Sequence, residues 1–358
     1  MEWYIITFHD AYNYGAVLQA YALQKFLEKN FGKTTIINYH NNQVMDVYKF
    51  PNIKLFFVNP KKFLKRVSQY IFFYTKRKNI DLFTRDFAMV DFEEFCKTLD
   101  SETMNSDKVI VVGSDQIWNY QLTGLDGTYF ASFAHNVIKI SYAASFGVSE
   151  IPEKYQAEYS DYLKELQHIS VREEKAKQIV QNLIGINPVV SVDPTLLLNQ
   201  TEWCELTNKV VDYEYILVYK ITHQQNLLKF ANKLSKEYNL PIIYIPNDVG
   251  EKFTGRMVTS AGPKEWLSYI KYAKYVVTNS FHGTVFSTIF EKDFYCEVLI
   301  DKHSGSSRLE SFLSKFNLED RIIHGDKFCH NKKIDWLNVR NIIEQERSRT
   351  YEYFDEIK

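Results

Sequence analysis

The stretch YVVTNSFHGTVFSTI, Tyr275–Ile289, predicts the local fold around which the chain is organised. Its apolar first part, Tyr275–Thr278, is typical of a buried strand. A polar turn, Asn279–Gly283, follows this strand, and the small residues from Thr284 onward predict a helix. A strand, a turn and a helix in this order direct backbone N–H groups and the positive end of the helix to one point. The sequence therefore predicts an anion site at the carboxyl end of this strand.

His282 lies in this predicted turn, where it can act as a cation, a hydrogen-bond donor or a proton carrier near neutral pH. Gly283 beside it has no side chain, so a ligand can approach the backbone closely. A single turn histidine is more often structural than functional. A function for His282 therefore depends on polar residues at the ends of other strands.

The N-terminal sequence predicts a strand, a helix and a second strand. The apolar run Trp3–Phe8 is followed by a segment with apolar residues at helical spacing, which ends at Gly32. Thr34–Tyr39 is the next apolar run. A helix that joins two strands in this way indicates a parallel sheet. Asn13 and Gly15 lie in the turn before the helix and predict a second helix end suited to an anion.

The same alternation of strands and helices continues along the chain and predicts an α/β fold. Further apolar runs typical of strands are Lys108–Val112, Ile138–Ala143, Ile169–Val171, Val189–Val192, Tyr215–Tyr219, Pro241–Ile245 and Phe294–Ile300. A polar stretch near residues 199–212 divides the series into two halves. We therefore expect two Rossmann-like domains, residues 1–195 and 196–333. The apolar residues of a last predicted helix, Ile334–Phe354, need a partner surface, and we expect residues 334–358 to pack back on the first domain.

Polar residues recur where the predicted strands end. Open α/β sheets bind ligands beyond the carboxyl ends of their strands. The residues at these positions are Asn13, Ser114, Asp115, Ser145, Arg172, Asp193, Lys220, Asn247, Ser280 and His282. Each of them alone could be a helix cap or a turn residue. Their recurrence predicts a cleft between two facing domains, lined by the whole set.

Composition excludes several classes of function. The 358 residues carry a formal net charge of −1, which gives no general attraction to nucleic acid. Met1 leads directly into a strand-like run, no apolar run approaches the length of a membrane span, and the four cysteines form no C-x-x-C pair. We therefore expect a cytoplasmic protein with reduced thiols and without a bound metal. The motifs G-x-G-x-x-G and G-x-x-x-x-G-K-[ST] are missing from the sequence, which argues against dinucleotide oxidoreductases and NTPases.

The segment Lys61–Arg85 interrupts the α/β pattern with alternating basic and aromatic residues. This composition is typical of an amphipathic helix. One interpretation is a surface helix packed on its own domain. The other is peripheral contact with the inner face of a membrane, because basic residues and aromatic rings favour an anionic lipid surface.

Six short motifs follow one another along the chain: NYGAVLQAYALQ at Asn13–Gln24, VGSDQIWN at Val112–Asn119, SYAASFG at Ser141–Gly147, SVREE at Ser170–Glu174, VDPTLLL at Val192–Leu198 and TNSFHGTVFSTI at Thr278–Ile289. Together and in this order they closely resemble the motifs of the polysaccharide pyruvyl transferase family, and the likeness extends from Asn13 to at least Leu313. The resemblance implies a fold like that of the GT-B glycosyltransferases. It also implies phosphoenolpyruvate as donor and a hydroxyl pair of a sugar as acceptor, usually within a lipid-linked precursor of a surface polysaccharide.

The resemblance also implies roles for individual residues. His282 and Arg172 stand at the positions where the family binds its donor. Phosphoenolpyruvate carries a phosphate and a carboxylate, so two cationic or N–H-rich sites are needed, and the planar guanidinium of Arg172 suits either group. Ketal formation also needs a general acid and a base, and we expect His282 and Asp115 in these catalytic roles. The remaining expected substrate contacts are Asn13, Gly15, Ser114, Lys220, Ser280, Gly283 and Arg308.

Such a reaction needs no cofactor and no metal, because phosphoenolpyruvate is itself the donor substrate. Two other functions fit the same sequence. One is a nucleotide-sugar glycosyltransferase of the same architecture. The other is a glycan-binding relative without catalytic activity, although the presence of His282 and Arg172 argues against it. Lys220 and Arg308 are open to a purely structural reading, as a strand cap and as a surface residue of a helix.

Overall fold

The structure, a computed structural model, describes residues 1–100, 107–221, 226–249, 253, 255–298, 306–323 and 333–357. Within these residues the chain forms two parallel sheets with helices on their faces. The fold is therefore α/β, as the sequence predicts.

The first sheet has seven strands in the order β3-β2-β1-β4-β5-β6-β7. Its strands are β1 Glu2–Ile6, β2 Thr34–Asn38, β3 Met89–Asp91, β4 Lys108–Val112, β5 Ile138–Ala144, β6 His168–Val171 and β7 Val189–Val190. All neighbouring strands are parallel. Both faces of the central strands are covered, which explains why β4 is buried along its whole length and reads as an unbroken apolar run after Lys108. This sheet defines the first domain.

The second sheet has five strands in the order β10-β9-β8-β11-β12. Its strands are β8 Ile216–Tyr219, β9 Ile242–Ile245, β10 Arg256–Met257, β11 Tyr275–Thr278 and β12 Asp293–Cys296. These neighbours are also parallel. In both sheets the chain order reverses beside the first strand, and such a reversal is where open α/β sheets form their binding crevice.

Helices connect the strands of both domains. In the described residues they are α1 Tyr14–Asn30, α2 Asn42–Asp46, α3 Lys54–Val58, α4 Pro60–Phe72, α5 Tyr74–Thr84, α6 Phe92–Asp100, α7 Tyr120–Thr123, α8 Glu153–Lys164, α9 Glu174–Ile184, α10 Gln200–Cys204, α11 Asn226–Tyr238, α12 Pro263–Tyr272, α13 Phe281–Ile289, α14 Ser306–Lys315 and α15 Trp336–Asp355. In this part of the chain, none of them is both long and apolar enough to cross a bilayer.

One apolar core joins the two domains through α1. Tyr14, at the first position of α1, donates a 2.7 Å hydrogen bond to the carbonyl of Ala261 in the second domain. Its ring stacks on Trp266 of α12 with the centroids 5.2 Å apart. The first turn of α1 is therefore held against the second domain, close to the start of α13.

The last helix, α15, lies on the first domain. The hydroxyl of Tyr353 donates to the carbonyl of Ser141 in β5 at 2.7 Å, and Thr350 lies 3.1 Å from the hydroxyl of Tyr142. The ring of Phe354 packs edge-on against Trp3 of β1. These contacts place the last helix against the seven-stranded sheet, which also contains the first strand of the chain.

Several boundaries differ from those predicted. Helix α13 begins at Phe281 rather than at Thr284, because the side chain of Ser280 accepts a hydrogen bond from the Gly283 N–H and caps the helix earlier. The short edge strands β3 and β10 were not predicted, since two or three residues carry too little periodicity. Strand β12 ends at Cys296, and the last two residues of the predicted run Phe294–Ile300 lie outside the described residues.

The segment Lys61–Arg85 forms two helices with different environments. No residue of α4 is buried, whereas α5 buries Lys76, Arg77, Ile80 and Phe83. The interpretation as a packed helix describes α5, but its partners lie in both domains: Phe83 packs against Tyr21 of α1, and Asn79 donates to the carbonyl of Ser260. It does not describe α4, which remains largely exposed.

Candidate functional site

The N-terminal ends of α1 and α13 meet between the domains. Asn13 caps α1 by accepting hydrogen bonds from the N–H groups of Gly15 and Ala16, and Ser280 caps α13. The imidazole of His282 lies so close to Gly15 that a methyl group there would be 1.9 Å from Nδ1. Gly15 is therefore required for close approach of the ring, and two positive helix ends converge on one point.

His282 is buried, and its Nε2 atom lies 3.4 Å from a carboxylate oxygen of Asp193. This nitrogen makes no hydrogen bond to any described residue. Asp193 is fixed by Thr195, whose backbone N–H and hydroxyl both donate to it. Burial alone would raise the pKa of Asp193, but the nearby ring of His282 and the guanidinium of Arg172 outweigh burial and lower it. Asp193 thus supplies a fixed negative charge behind the imidazole.

Arg172 lies behind the site rather than in its opening. Its side chain is only 2% exposed and donates to Asp193 at 2.7 Å and to Asp115 at 3.3 Å. Its guanidinium also packs 4.8 Å from the ring centre of Phe281. The expectation that Arg172 projects into an open cleft is therefore wrong, because two carboxylates draw it inward.

Asp115 and Arg308 form the accessible edge of the same charge cluster. Arg308 lies 3.6 Å from a carboxylate oxygen of Asp115. Burial favours the neutral form of Asp115, but Arg172, His282 and Arg308 outweigh it and lower the pKa of this carboxyl. Burial, and then repulsion by Arg172, lower the pKa of Arg308 to about 10. Its Nε atom also has no hydrogen-bond partner in the described residues, so Arg308 is suited to receive an anion.

A cleft of about 480 Å³ opens in front of these groups and is lined by both domains. Five of the predicted site residues line it: Asn13, Asp115, Ser280, His282 and Arg308. The first two come from the first domain and the other three from the second. The rule that ligands bind at strand ends accounts for the meeting of four of them, whereas Arg308 reaches the cleft from α14.

The other predicted residues lie around the cleft without lining it. Ser114 is fully buried, with a hydroxyl that has no hydrogen-bond partner among the described residues. Lys220 is buried at the end of β8. Burial raises the pKa of Glu297, and the positive charge of Lys220 partly offsets this rise. Ser145 donates to Glu173 at 2.8 Å, also below the surface of the site.

Gly283 has a different role from the one expected. A methyl group at this position would meet the hydroxyl of Thr278 at 2.6 Å and the side chain of Ser280 at 3.2 Å. The missing side chain therefore lets α13 pack on the end of β11. It does not open the backbone to a ligand in the cleft.

Three residues in or beside the cleft were not among the predicted site residues. Glu297 lines the cleft and accepts a hydrogen bond from the Leu227 N–H, while Asn279 lines it and accepts from the Ile221 N–H. Glu173, beside Arg172, is buried, and burial raises its pKa despite the neighbouring arginines. Glu297 follows directly after β12, so the strand-end rule would have found it if the end of that strand had been placed correctly.

One group of described residues has the composition of a metal site. Ligand atoms of His9, Asp10 and His40 lie within 4.8 Å of one another. Both ring nitrogens of His9 already face oxygen acceptors, the carbonyl of Thr7 at 3.2 Å and the side chain of Asn38 at 2.9 Å. His40 is paired with Asp10. A metal ion would have to replace these contacts. The contacts already present therefore account for the arrangement of the three side chains without a metal.

Comparison with known proteins gives both a family and a fold. Residues 13–296 match the model of the family described as Polysaccharide pyruvyl transferase. None of the curated proteins that were compared with the chain matches it.

Solved structures of low sequence identity share the architecture. The UDP-GlcNAc 2-epimerase of Methanocaldococcus jannaschii is 15% identical over 98% of this chain and 100% of its own, with a TM-score of 0.50. The UDP-N-acetylglucosamine 2-epimerase from Rickettsia bellii is 12% identical over 99% and 97%, with a TM-score of 0.47. The E. coli heptosyltransferase WaaC with ADP is 9% identical over 97% and 100%, with a TM-score of 0.40. The first of these likenesses confirms the predicted GT-B-like fold.

Proposed function

We propose that this chain, a member of the polysaccharide pyruvyl transferase family, transfers the pyruvyl group of phosphoenolpyruvate to a sugar of a surface-polysaccharide precursor. The product would be a pyruvate ketal. The observation that carries this proposal is the position of His282, which lines the cleft beside two helix N-termini and Arg308 while its Nε2 atom faces the carboxylate of Asp193.

Two adjacent sites in the cleft suit the two anionic groups of phosphoenolpyruvate. The first turn of α13, with Ser280 and His282, offers N–H groups and a positive helix end for one anion. Arg308 offers a guanidinium for the other. Arg172 supports this arrangement from behind, because it holds Asp115 and Asp193 in place through ion pairs.

The proposed chemistry assigns a role to each reacting group. His282 donates a proton to the methylene carbon of the enol, and the adjacent carbon is attacked by a sugar hydroxyl that loses its proton to Asp115. A carbon–oxygen bond to the sugar forms, and the bond to phosphate breaks in a later step. The second sugar hydroxyl then adds to the same carbon, passes its proton to the departing phosphate and closes the ketal. Asp193 balances the charge of the imidazole whenever the ring is protonated.

The acceptor would be part of a lipid-linked oligosaccharide, and the exposed surface near α3 and α4 supports this choice. Phe57 is 80% exposed and Val58 83%, and both lie on α3. Leu64 and Ile71 on α4 are exposed as well, among basic residues that include Lys61 and Lys62. Exposed apolar side chains together with lysines are typical of a segment that contacts an anionic lipid surface.

The test is binding of ligands to the full chain in thermal melts. Phosphoenolpyruvate should raise the melting temperature, and the increase should be lost in Arg308→Gln. Stabilisation by UDP-glucose but not by phosphoenolpyruvate would instead identify a nucleotide-sugar glycosyltransferase. Stabilisation by neither compound, together with binding of an oligosaccharide, would identify a glycan-binding protein and overturn the proposal.

A further inference from the structure

A second, smaller cavity of about 230 Å³ lies beside the cleft. The two share Asn13, Val47 and Tyr48 in their walls, so they are adjacent. Four cations line this second cavity, which we call the basic cavity: Lys49, Arg66, Lys76 and Arg77. Among the described residues that line it there is no aspartate or glutamate.

Lys76 is the most unusual of these cations. The residue is only 4% exposed, and its ammonium lies over the ring of Tyr14, 4.4 Å from the centroid, and 5.4 Å from that of Phe73. Within the described part of the chain it forms no ion pair. Burial, with a smaller contribution from Arg77, lowers its pKa to about 8. A buried ammonium without a counter-charge is costly, and an anion in the cavity would remove that cost.

The two arginines are also left without carboxylate partners. Arg77 donates to the backbone carbonyl of Tyr70 and packs 3.8 Å from the centre of its ring. Arg66 donates to the backbone carbonyls of Asp46 and Lys49. Backbone carbonyls carry no net charge, so both guanidinium charges remain uncompensated.

Three carboxylates near the basic cavity, those of Asp46, Asp81 and Asp248, have partners of their own. Asp46 pairs with Lys49 at 3.0 Å, and Asp248 accepts from Lys65 and Gln69. Asp81 acts on the hydroxyl of Tyr12, whose pKa is raised to about 12 chiefly by burial and then by this charge. The Asp81 carboxylate keeps its negative charge, so the charges of Arg66, Lys76 and Arg77 exceed it by about two positive charges.

We propose that the basic cavity binds a diphosphate group carried by the acceptor substrate. A diphosphate esterified at both ends has two negative charges near neutral pH and so matches this excess of about two positive charges. The shared wall at Asn13 and Tyr48 places such a group beside the cleft in which the attached sugar would react. The assignment of this group to the acceptor rests on the proposed function, whereas the diphosphate site itself does not.

Inorganic pyrophosphate is the probe for this site, and calorimetric titration of the full chain measures its binding without any transfer reaction. We expect Lys76→Met to weaken pyrophosphate binding by about tenfold or more. Lys78→Met is the matched control, because Lys78 is exposed on the same helix and does not line the cavity. Arg66→Gln, at another position in the cavity wall, should also weaken pyrophosphate binding. This second variant still tests the site if Lys76→Met does not fold.

Competition distinguishes the basic cavity from the donor site. Pyrophosphate bound in the basic cavity should remain bound when phosphoenolpyruvate is added, and Arg308→Gln should not affect its affinity. Absence of pyrophosphate binding in the wild type, equal affinity in the Lys76 and Lys78 variants, or displacement by phosphoenolpyruvate would each overturn the proposal. Failure of pyruvyl transfer alone would leave it intact.

Two further ligands identify the source of the diphosphate. Geranyl diphosphate carries a prenyl chain and UDP-glucose carries a nucleoside, and both should lose affinity in Lys76→Met. Because exposed Phe57 and Val58 mark a lipid-facing side, we expect geranyl diphosphate to bind more tightly than UDP-glucose. Retention of both affinities in Lys76→Met would contradict the site.

Discussion

The ring of His282 in the second domain lies directly on the backbone of Gly15 in the first, where an added methyl group would come within 1.9 Å of Nδ1. This contact joins the first turns of α13 and α1 and leaves Nε2 of the imidazole facing Asp193 at 3.4 Å. The position of the proposed acid therefore depends on a glycine more than 260 residues away in the chain.

Gly15→Ala should abolish transfer without unfolding the protein. The new methyl group displaces the imidazole, whereas alanine in a helix is itself favourable by about 0.5–1 kcal/mol relative to glycine. We expect activity to fall by roughly 100-fold or more, the order of loss seen when a proton-transfer group is misplaced, with a loss of stability of only about 1–3 kcal/mol from displacement of the buried ring. In a His282→Gln background the same substitution should add almost nothing, and additive losses would show that Gly15 acts elsewhere.

We expect Arg172 to contribute mainly to the stability of the fold and Arg308 mainly to the binding of phosphoenolpyruvate. Arg172→Gln removes the closest cation from the buried carboxylates of Asp193 and Asp115, and breaking a buried ion pair typically costs about 3–5 kcal/mol. Arg308→Gln removes a cation that lines the cleft, and it also relieves repulsion with Arg172. Denaturant titration should therefore show a large loss for the first variant only, and phosphoenolpyruvate affinity should fall in the second. Equal stability of the two variants would contradict this division.

Lys76→Met should stabilise the free protein, and the gain should depend on pH. Folding lowers the pKa of Lys76 from 10.5 to about 8. Below pH 8 the charged ammonium therefore destabilises the folded protein by the full amount, and above pH 10.5 this penalty has disappeared. A shift of this size corresponds to the order of 3 kcal/mol, from which the lost contact with Tyr14 subtracts up to about 2. Melts of both proteins at pH 7 and pH 10.5 provide the measurement. A difference that does not shrink at the higher pH would be inconsistent with a buried charge.

The exposed apolar residues of α3 should bind the protein to lipid. Phe57→Asp combined with Val58→Asp should reduce sedimentation with anionic liposomes, and Lys61→Glu with Lys62→Glu should do so as well, since each cation contributes about 1 kcal/mol. Leu337→Asp is the control, because Leu337 is an exposed apolar residue of a different helix, α15. Wild-type protein that does not sediment, or an equal effect of the Leu337 variant, would reject membrane contact through α3 and α4.

The sequence predicts the fold class and much of the cleft for a physical reason. The carboxyl ends of parallel strands meet at one edge of a sheet, so polar residues after strands, such as Asp115 and Ser280, are brought together whatever the details of packing. The direction in which a side chain points is set by its tertiary partners. Arg172 turns towards Asp193, and Gly283 faces Thr278, because the neighbours that decide these orientations are distant in the chain.

The basic cavity could not be predicted from the pattern of Lys61–Arg85. That segment reads as one amphipathic helix, in which every cation is expected at the surface. In the structure the chain breaks at Phe73 between α4 and α5, and α5 rotates Lys76 and Arg77 inward. Periodicity does not reveal such a break, since no proline or glycine marks it.

Transfer of pyruvate from phosphoenolpyruvate to a sugar acceptor, followed by NMR of the product, tests the central claim most directly. The wild type should release one phosphate for each ketal methyl group that forms. His282→Gln should still bind phosphoenolpyruvate within a few-fold, because the helix end and Arg308 remain, but turnover should fall by at least about 100-fold. Wild-type turnover in this variant, or a product without a ketal methyl group, would contradict the account.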